Sequence, residues 1–250
     1  MKKWLIFVML IGIAHTEPGD IVYSSSPEEN STEQPTLTLT PEQMLQKVGE
    51  AYKSHHYDDA IAYAQAACNA GNATACGALG NLYSSDLEEM KNKKNLKLAA
   101  DAYFRACQGN VGAACFYLGV FHSNGTGVQQ NYHSAKGFFA RACELNDPEG
   151  CDALGNFFAN PDPKINPKQD YTQAATYYLK SCNSEKGAMS CFKLGTLYEL
   201  GQGVKKDITI AKDFYGKSCK LGNTNGCDAY WSIDGSQKGG NMTQGNSQRR

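Results

Sequence analysis

The chain has 250 residues, 41% apolar and 20% charged, with a formal net charge of -1. That size suits one domain or a short repeat array, and the balanced charge gives no footprint for nucleic acid or an anionic membrane. Ten cysteines are the outlier; they would suggest metal ligation in a reducing compartment and disulfides in an oxidising one.

At the N-terminus, Lys2 and Lys3 precede an apolar run of 11 residues, Trp4 to Ala14. A membrane span needs roughly 20, whereas a short run behind two lysines matches the core of a signal peptide. Gly12 and Ala14 supply the small residues for cleavage after Ala14. Residues 1–16 are therefore expected to act as a leader, with no membrane span, and the protein to be secreted or periplasmic. Residues 17–39 are rich in Ser, Pro, Glu and Thr and lack periodicity. They offer too little apolar surface to offset chain entropy and read as a disordered tether. Within them, Glu28-Glu29-Asn30-Ser31-Thr32 is similar to the extended acceptor sequon of bacterial N-glycosylation, which makes Asn30 a glycosylation candidate.

Order is expected from Thr40 to Ile233. Thr40-Pro41-Glu42-Gln43 places Thr at the N-cap, Pro at the first helical position and Gln at N3, a capping-box start. That helix carries Leu45, Val48, Gly49 and Tyr52 on one face and stops near Ser54-His55-His56. Then one text recurs five times, at a period of 36 to 40 residues. It begins as an amphipathic helix whose inward stripe reads Ala60/Tyr63/Ala64/Ala67/Cys68, Ala99/Ala102/Tyr103/Ala106/Cys107, Ala135/Phe138/Phe139/Ala142/Cys143, Ala174/Tyr177/Tyr178/Ser181/Cys182 and Ala211/Phe214/Tyr215/Ser218/Cys219. This is the i, i+3, i+4, i+7, i+8 spacing of one helix face. The partner helix reads Cys76/Leu79/Gly80/Leu82/Tyr83, Cys115/Leu118/Gly119/Phe121, Cys151/Leu154/Gly155/Phe157/Phe158 and Cys191/Leu194/Gly195/Leu197/Tyr198. A glycine inside a helix costs roughly 1 kcal/mol against alanine, so its return at one register, and at Gly49, predicts close helix approach onto a small alanine. A repeat of this period is the mark of a solenoid, and the fold class is all-α, built of stacked αα-hairpins.

Between helices, Asn124-Gly125-Thr126-Gly127 and Leu200-Gly201-Gln202-Gly203 provide C-cap glycines, with Asn131 and Asp207 as N-caps of the next helix. The equivalent loops at 84–95 and 159–170 are longer and more polar, and such irregular loops are where partner specificity is expected. After Cys227-Asp228-Ala229-Tyr230-Trp231 the text stops. A truncated helix closes the array there, and residues 234–250 read as a disordered polar tail.

All ten cysteines form neighbouring pairs with seven intervening residues, or eight between Cys182 and Cys191. The first ends one helix and the second opens the next. A helix hairpin sets those positions level, within the Cα separation of roughly 4.4–6.8 Å that a disulfide needs. The corresponding cysteine one repeat along lies two helix layers away, at roughly 8–10 Å per layer. The expected bridges are Cys68–Cys76, Cys107–Cys115, Cys143–Cys151, Cys182–Cys191 and Cys219–Cys227, one per repeat. Zinc sites favour closer cysteine pairs converging as four ligands, and His15, His55, His56, His122 and His133 form no metal-binding motif. No metal and no cofactor are expected.

The recurring text, with its G-x-G-V-x-x-[ND] linkers, resembles the Sel1-like repeat, and the cysteine placement is similar to the Helicobacter cysteine-rich proteins, secreted α-solenoids with one disulfide per repeat. The resemblance spans about residues 41 to 233. It implies a TPR-like scaffold that binds a protein or peptide on a concave face. It also implies an alternative, because several cysteine-rich members are described as penicillin-binding proteins with weak β-lactamase activity, for which a peptidoglycan fragment or β-lactam would be the ligand. Ser190-Cys191-Phe192-Lys193 matches the S-x-x-K of serine β-lactamases, which makes Ser190 and Lys193 the catalytic candidates, but S-D-N and K-T-G are missing from the chain. Asn81, Asn156 and Thr196 are expected among the concave-face contacts. The sequence favours the scaffold.

Overall fold

The structure, a computed structural model, describes residues 39–160, 168–233 and 235. The leader at 1–16, the 17–39 tether up to residue 38 with Asn30, and the 234–250 tail apart from Gly235 lie outside the described residues. Eleven α-helices follow one another, with no strand among the described residues: α1 (Pro41–Lys53), α2 (Tyr57–Asn69), α3 (Ala73–Ser84), α4 (Leu96–Gln108), α5 (Gly112–Asn124), α6 (Tyr132–Glu144), α7 (Pro148–Ala159), α8 (Tyr171–Cys182), α9 (Ala188–Leu200), α10 (Ile208–Lys220) and α11 (Thr224–Ile233). The expected repeat solenoid is the fold that forms. Five hairpins, α1–α2 to α9–α10, stack in order and α11 closes the last.

A disulfide ties each hairpin to its successor, with Cα separations of 4.5 to 4.7 Å. The additional residue between Cys182 and Cys191 leaves that separation at 4.7 Å, because the Asn183–Gly187 turn absorbs it. Along the array α1 touches α3, α3 touches α5, α5 touches α7, and α9 touches α11. Among the described residues no two even-numbered helices meet as closely. The odd-numbered helices therefore line the inner face and the even-numbered ones the outer.

The caps follow the sequence. Thr40 and Gln43 exchange the two bonds of a capping box, and Asn131 and Asp207 cap α6 and α10. Gly127 and Gly203 have φ of 68° and 67°, and a Cβ on either would fall 2.2 Å from the backbone of Leu96 or Tyr171. These linkers lie flush on the start of the preceding outer helix, which is why they read Gly-x-Gly. On the outer layer, Arg105 donates to the Cys68 carbonyl at 2.8 Å and to Asn69 at 3.1 Å. Arg141 reaches Asn110 at 2.6 Å, and Lys217 reaches Asn183 at 3.3 Å. Each cation sits two residues before a cysteine and satisfies groups near the previous outer helix's C-terminus, where positive charge is favoured.

The recurring glycine needs a correction. A Cβ on Gly80 would lie 2.5 Å from the ring of Tyr103, on Gly119 2.6 Å from Phe139, on Gly155 2.4 Å from Tyr178, and on Gly195 2.7 Å from Tyr215. The glycine accepts an aromatic ring from the next helix, not the small alanine expected. Gly49 does not belong to the set, since nothing lies within 4 Å of where its Cβ would be. Its counterpart position on α2 is Ala64, and Tyr52, expected to point inward, is 44% exposed. The 84–95 loop also holds an element the sequence did not announce, a 3₁₀ helix at Glu88–Lys93 that drives Met90 into the core at 0% exposure. In α11 the glycine register is taken by Trp231, 39% exposed.

Candidate functional site

The inner face is assembled from the odd-numbered helices, and its chemistry changes along the array. Helices α3 and α5 carry no Asp, Glu, Lys or Arg, whereas α7 brings Glu149 and Asp152 and α9 brings Lys193 and Glu199. Large side chains stand out from it at Tyr52, Tyr117 and Met189, each more than two-fifths exposed. Two cavities open along these inner helices. One of about 290 Å³ lies over Gly49 between α1 and α3, walled by Val48, Tyr52, Ala78 and Leu82. The other, about 310 Å³, lies among α5, α7 and α9, with Phe116, Glu149, Asp152, Met189 and Ser190 in its wall.

The sequence's catalytic candidates meet at the second cavity. Ser190 Oγ lies 2.5 Å from Asp152 Oδ1 and 2.8 Å from Ser181 Oγ. Lys193 Nζ donates to Asp152 Oδ1 at 2.8 Å, to Asp152 Oδ2 at 2.7 Å and to Asn156 Oδ1 at 2.8 Å. The Lys193 amino group is thus committed to Asp152 and Asn156 rather than aimed at the Ser190 hydroxyl. Ser190 is only 1% exposed, and its hydroxyl contacts a carboxylate already held by that amino group. The network is a polar rivet between α7 and α9. Asp152, its centre, escaped sequence analysis because 38 and 41 residues separate it from its partners.

Asn81, Asn156 and Thr196 also turn inward to partners. Tyr103 donates to Asn81 at 2.8 Å and Tyr178 to Asn156 at 3.0 Å, while Tyr215 gives its single proton to the Glu199 carboxylate at 2.6 Å and meets the Thr196 hydroxyl at 3.2 Å. These are the rings seated on the glycines, so each polar residue anchors the hydroxyl of its neighbour's ring. The signal was present in the text: where the ring is Phe139, without a hydroxyl, the residue after the glycine is Val120. Burial raises the phenol pKa of Tyr103 and carries that of Tyr178 far above its ordinary value. Burial, joined by the Glu199 carboxylate 2.6 Å away, pushes that of Tyr215 up to about 12. No group of His, Cys, Asp and Glu among the described residues could hold a metal, and no described helix is long and apolar enough to cross a membrane.

Comparison with known proteins places this geometry. The Sel1 repeat profile matches residues 57–72, 112–147, 148–185 and 188–223. Cytochrome c oxidase assembly factor 7 of Xenopus tropicalis is 32% identical over 140 residues, which span 54% of this chain and 60% of that protein. HcpC of Helicobacter pylori strain J99, a candidate β-lactamase by name, is 37% identical over 67 residues, 24% of this chain and 23% of its own length. Among solved structures, a Sel1 repeat protein from Oxalobacter formigenes superposes with a TM-score of 0.65 at 25% identity, covering 75% of this chain and 74% of that one.

Proposed function

The chain belongs to the Sel1 repeat family, and from that premise we propose that it is a binding scaffold outside the cytosol that grips a polypeptide along its inner face. The observation that carries this is the inner face itself: two cavities, three large exposed side chains and an uncharged stretch over α3 and α5, on a frame that five disulfides keep rigid. Rigid frames lose little entropy on binding, and aromatic anchors supply most of the affinity. Work outside the cytosol, secreted or periplasmic, is supported by the ten paired cysteines, which persist as disulfides only under oxidising conditions, and by the apolar run behind Lys2 and Lys3. The assembly role in the name of the Xenopus relative belongs to the same class, one protein handling another.

A photo-crosslinking residue in place of Tyr117, on the inner face, is expected to capture a defined partner from envelope extract. The same residue in place of Phe104, on the outer helix α4, is expected to capture none. Equal capture from both faces, or none from Tyr117, would refute the assignment.

Hydrolysis of β-lactams through Ser190 lacks comparable support, since Lys193 is engaged with Asp152 and Asn156 and Ser190 is only 1% exposed. A peptidoglycan fragment as ligand is less well matched than a polypeptide to the apolar, uncharged surface of α3 and α5.

A further inference from the structure

The cavity among α5, α7 and α9 has almost exhausted its own polar chemistry. Asp152 accepts from Ser190 and Lys193 on one oxygen, and from Lys193 and Asn156 on the other. Lys193 has no donor to spare. Glu149 is different. Its ion partner is Lys186 at 3.8 Å, beyond hydrogen-bonding distance, and the Lys186 side chain is 74% exposed. The remaining wall is Ser181, whose hydroxyl is bonded to Ser190, and the apolar Phe116, Pro148, Ala153 and Met189.

An apolar trough ending on a loosely paired carboxylate matches a side chain with an aliphatic stem and a cationic head. Arginine fits best, because its planar fork pairs with a carboxylate through two bonds and its face stacks on an aromatic ring such as Phe116. We propose that this cavity seats an arginine side chain of the bound polypeptide, with Glu149 as its anion and Lys186 as the internal counter-ion that it displaces. This rests on the inner-face binding assignment made above and names what that face selects. Lys186 then acts as a built-in competitor, so removing the acid and removing the competing base must have opposite effects.

The test uses the full-length oxidised protein and a phage-displayed library of random dodecapeptides. Arginine is expected to be enriched at one position of the selected peptides. By fluorescence anisotropy, Glu149→Gln should weaken the best peptide about tenfold, the range of one charge-assisted hydrogen bond. Lys186→Ala should tighten it about two- to threefold, and replacing the peptide's arginine with alanine should abolish the effect of Glu149→Gln. Both side chains are more than two-fifths exposed, so both variants should keep the parent circular dichroism spectrum and melting curve. Peptides selected without arginine, both variants shifting affinity in one direction, or an effect of Glu149→Gln that survives loss of the arginine would each overturn the arginine site while leaving inner-face binding intact. A library that yields no binder would overturn both.

Discussion

Gly155→Ala and Gly49→Ala are the same substitution at the same repeat register, and they should have opposite signs. Intrinsic propensity favours alanine by about 1 kcal/mol in either helix. At Gly155 the new methyl would sit 2.4 Å from two ring carbons of Tyr178, against an ordinary carbon contact of about 3.5–4.0 Å. The ring would have to retreat by roughly 1.1–1.6 Å, yet it is 3% exposed and its hydroxyl is bonded to Asn156. Overpacking of this kind costs about 1–3 kcal/mol, and loss of the hydroxyl bond adds about 0.5–1.5 kcal/mol. The net is a destabilisation of about 0.5–3.5 kcal/mol. At Gly49 nothing lies within 4 Å, so only the propensity gain remains, about 1 kcal/mol of stabilisation. For a domain of this size 1 kcal/mol moves Tm by about 2–4 °C. Thermal melts by circular dichroism on the oxidised protein should show Gly155→Ala melting lower than the parent and Gly49→Ala higher. Parallel shifts in both, or a stabilised Gly155→Ala, would refute the ring-on-glycine account.

Tyr178→Phe should lower stability by about 0.5–1.5 kcal/mol by leaving Asn156 one donor short, read by urea denaturation; no loss would mean the hydroxyl bond is idle. The folded-state pKa of Tyr215 is raised to about 12, above the ordinary tyrosine value near 10. The stability it contributes is whole below pH 10 and is lost as the pH climbs towards 12; absorbance at 295 nm should show a fraction of tyrosine resisting ionisation at pH 11 until the chain unfolds. Cys219–Cys227 is the half-buried bridge, whereas both members of the other four pairs are buried. Under native conditions a dithiol should open it first, as alkylation and peptide mass spectrometry would report. Ser190→Ala should lower the melting temperature without changing nitrocefin turnover, whatever rate the parent shows; a rate abolished by the change would restore Ser190 as a nucleophile.

The sequence announced much of this molecule because its messages were local or periodic. The cysteine register, the Thr40 capping box, the Gly-x-Gly linkers and the Ala-rich stripes each lie within one helix turn or recur at one period. What it withheld was contact between residues far apart in the text. Asp152 bonds to Ser190 and Lys193 across a full repeat, and no helical spacing links them. Gly80 and Tyr103 were both visible, but pairing them needs the comparison of four copies, in which tyrosine accompanies Asn81, Asn156 or Thr196 and phenylalanine accompanies Val120. Met90 lies in a polar loop, and its burial depends on a 3₁₀ turn with no amphipathic pattern. The setting of Ser190 was hidden for the same reason. Four adjacent letters resemble a motif, while Asp152, the partner that ties Ser190 and Lys193 together, arrives from another helix.

Trp231 breaks the register that holds glycine in α3, α5, α7 and α9. Each of those four helices leaves a notch that the following helix fills with a ring, whereas α11 presents an indole there, 39% exposed. Trp231→Gly would carve the same notch into α11 and make that helix a graft point for a further ring-bearing helix.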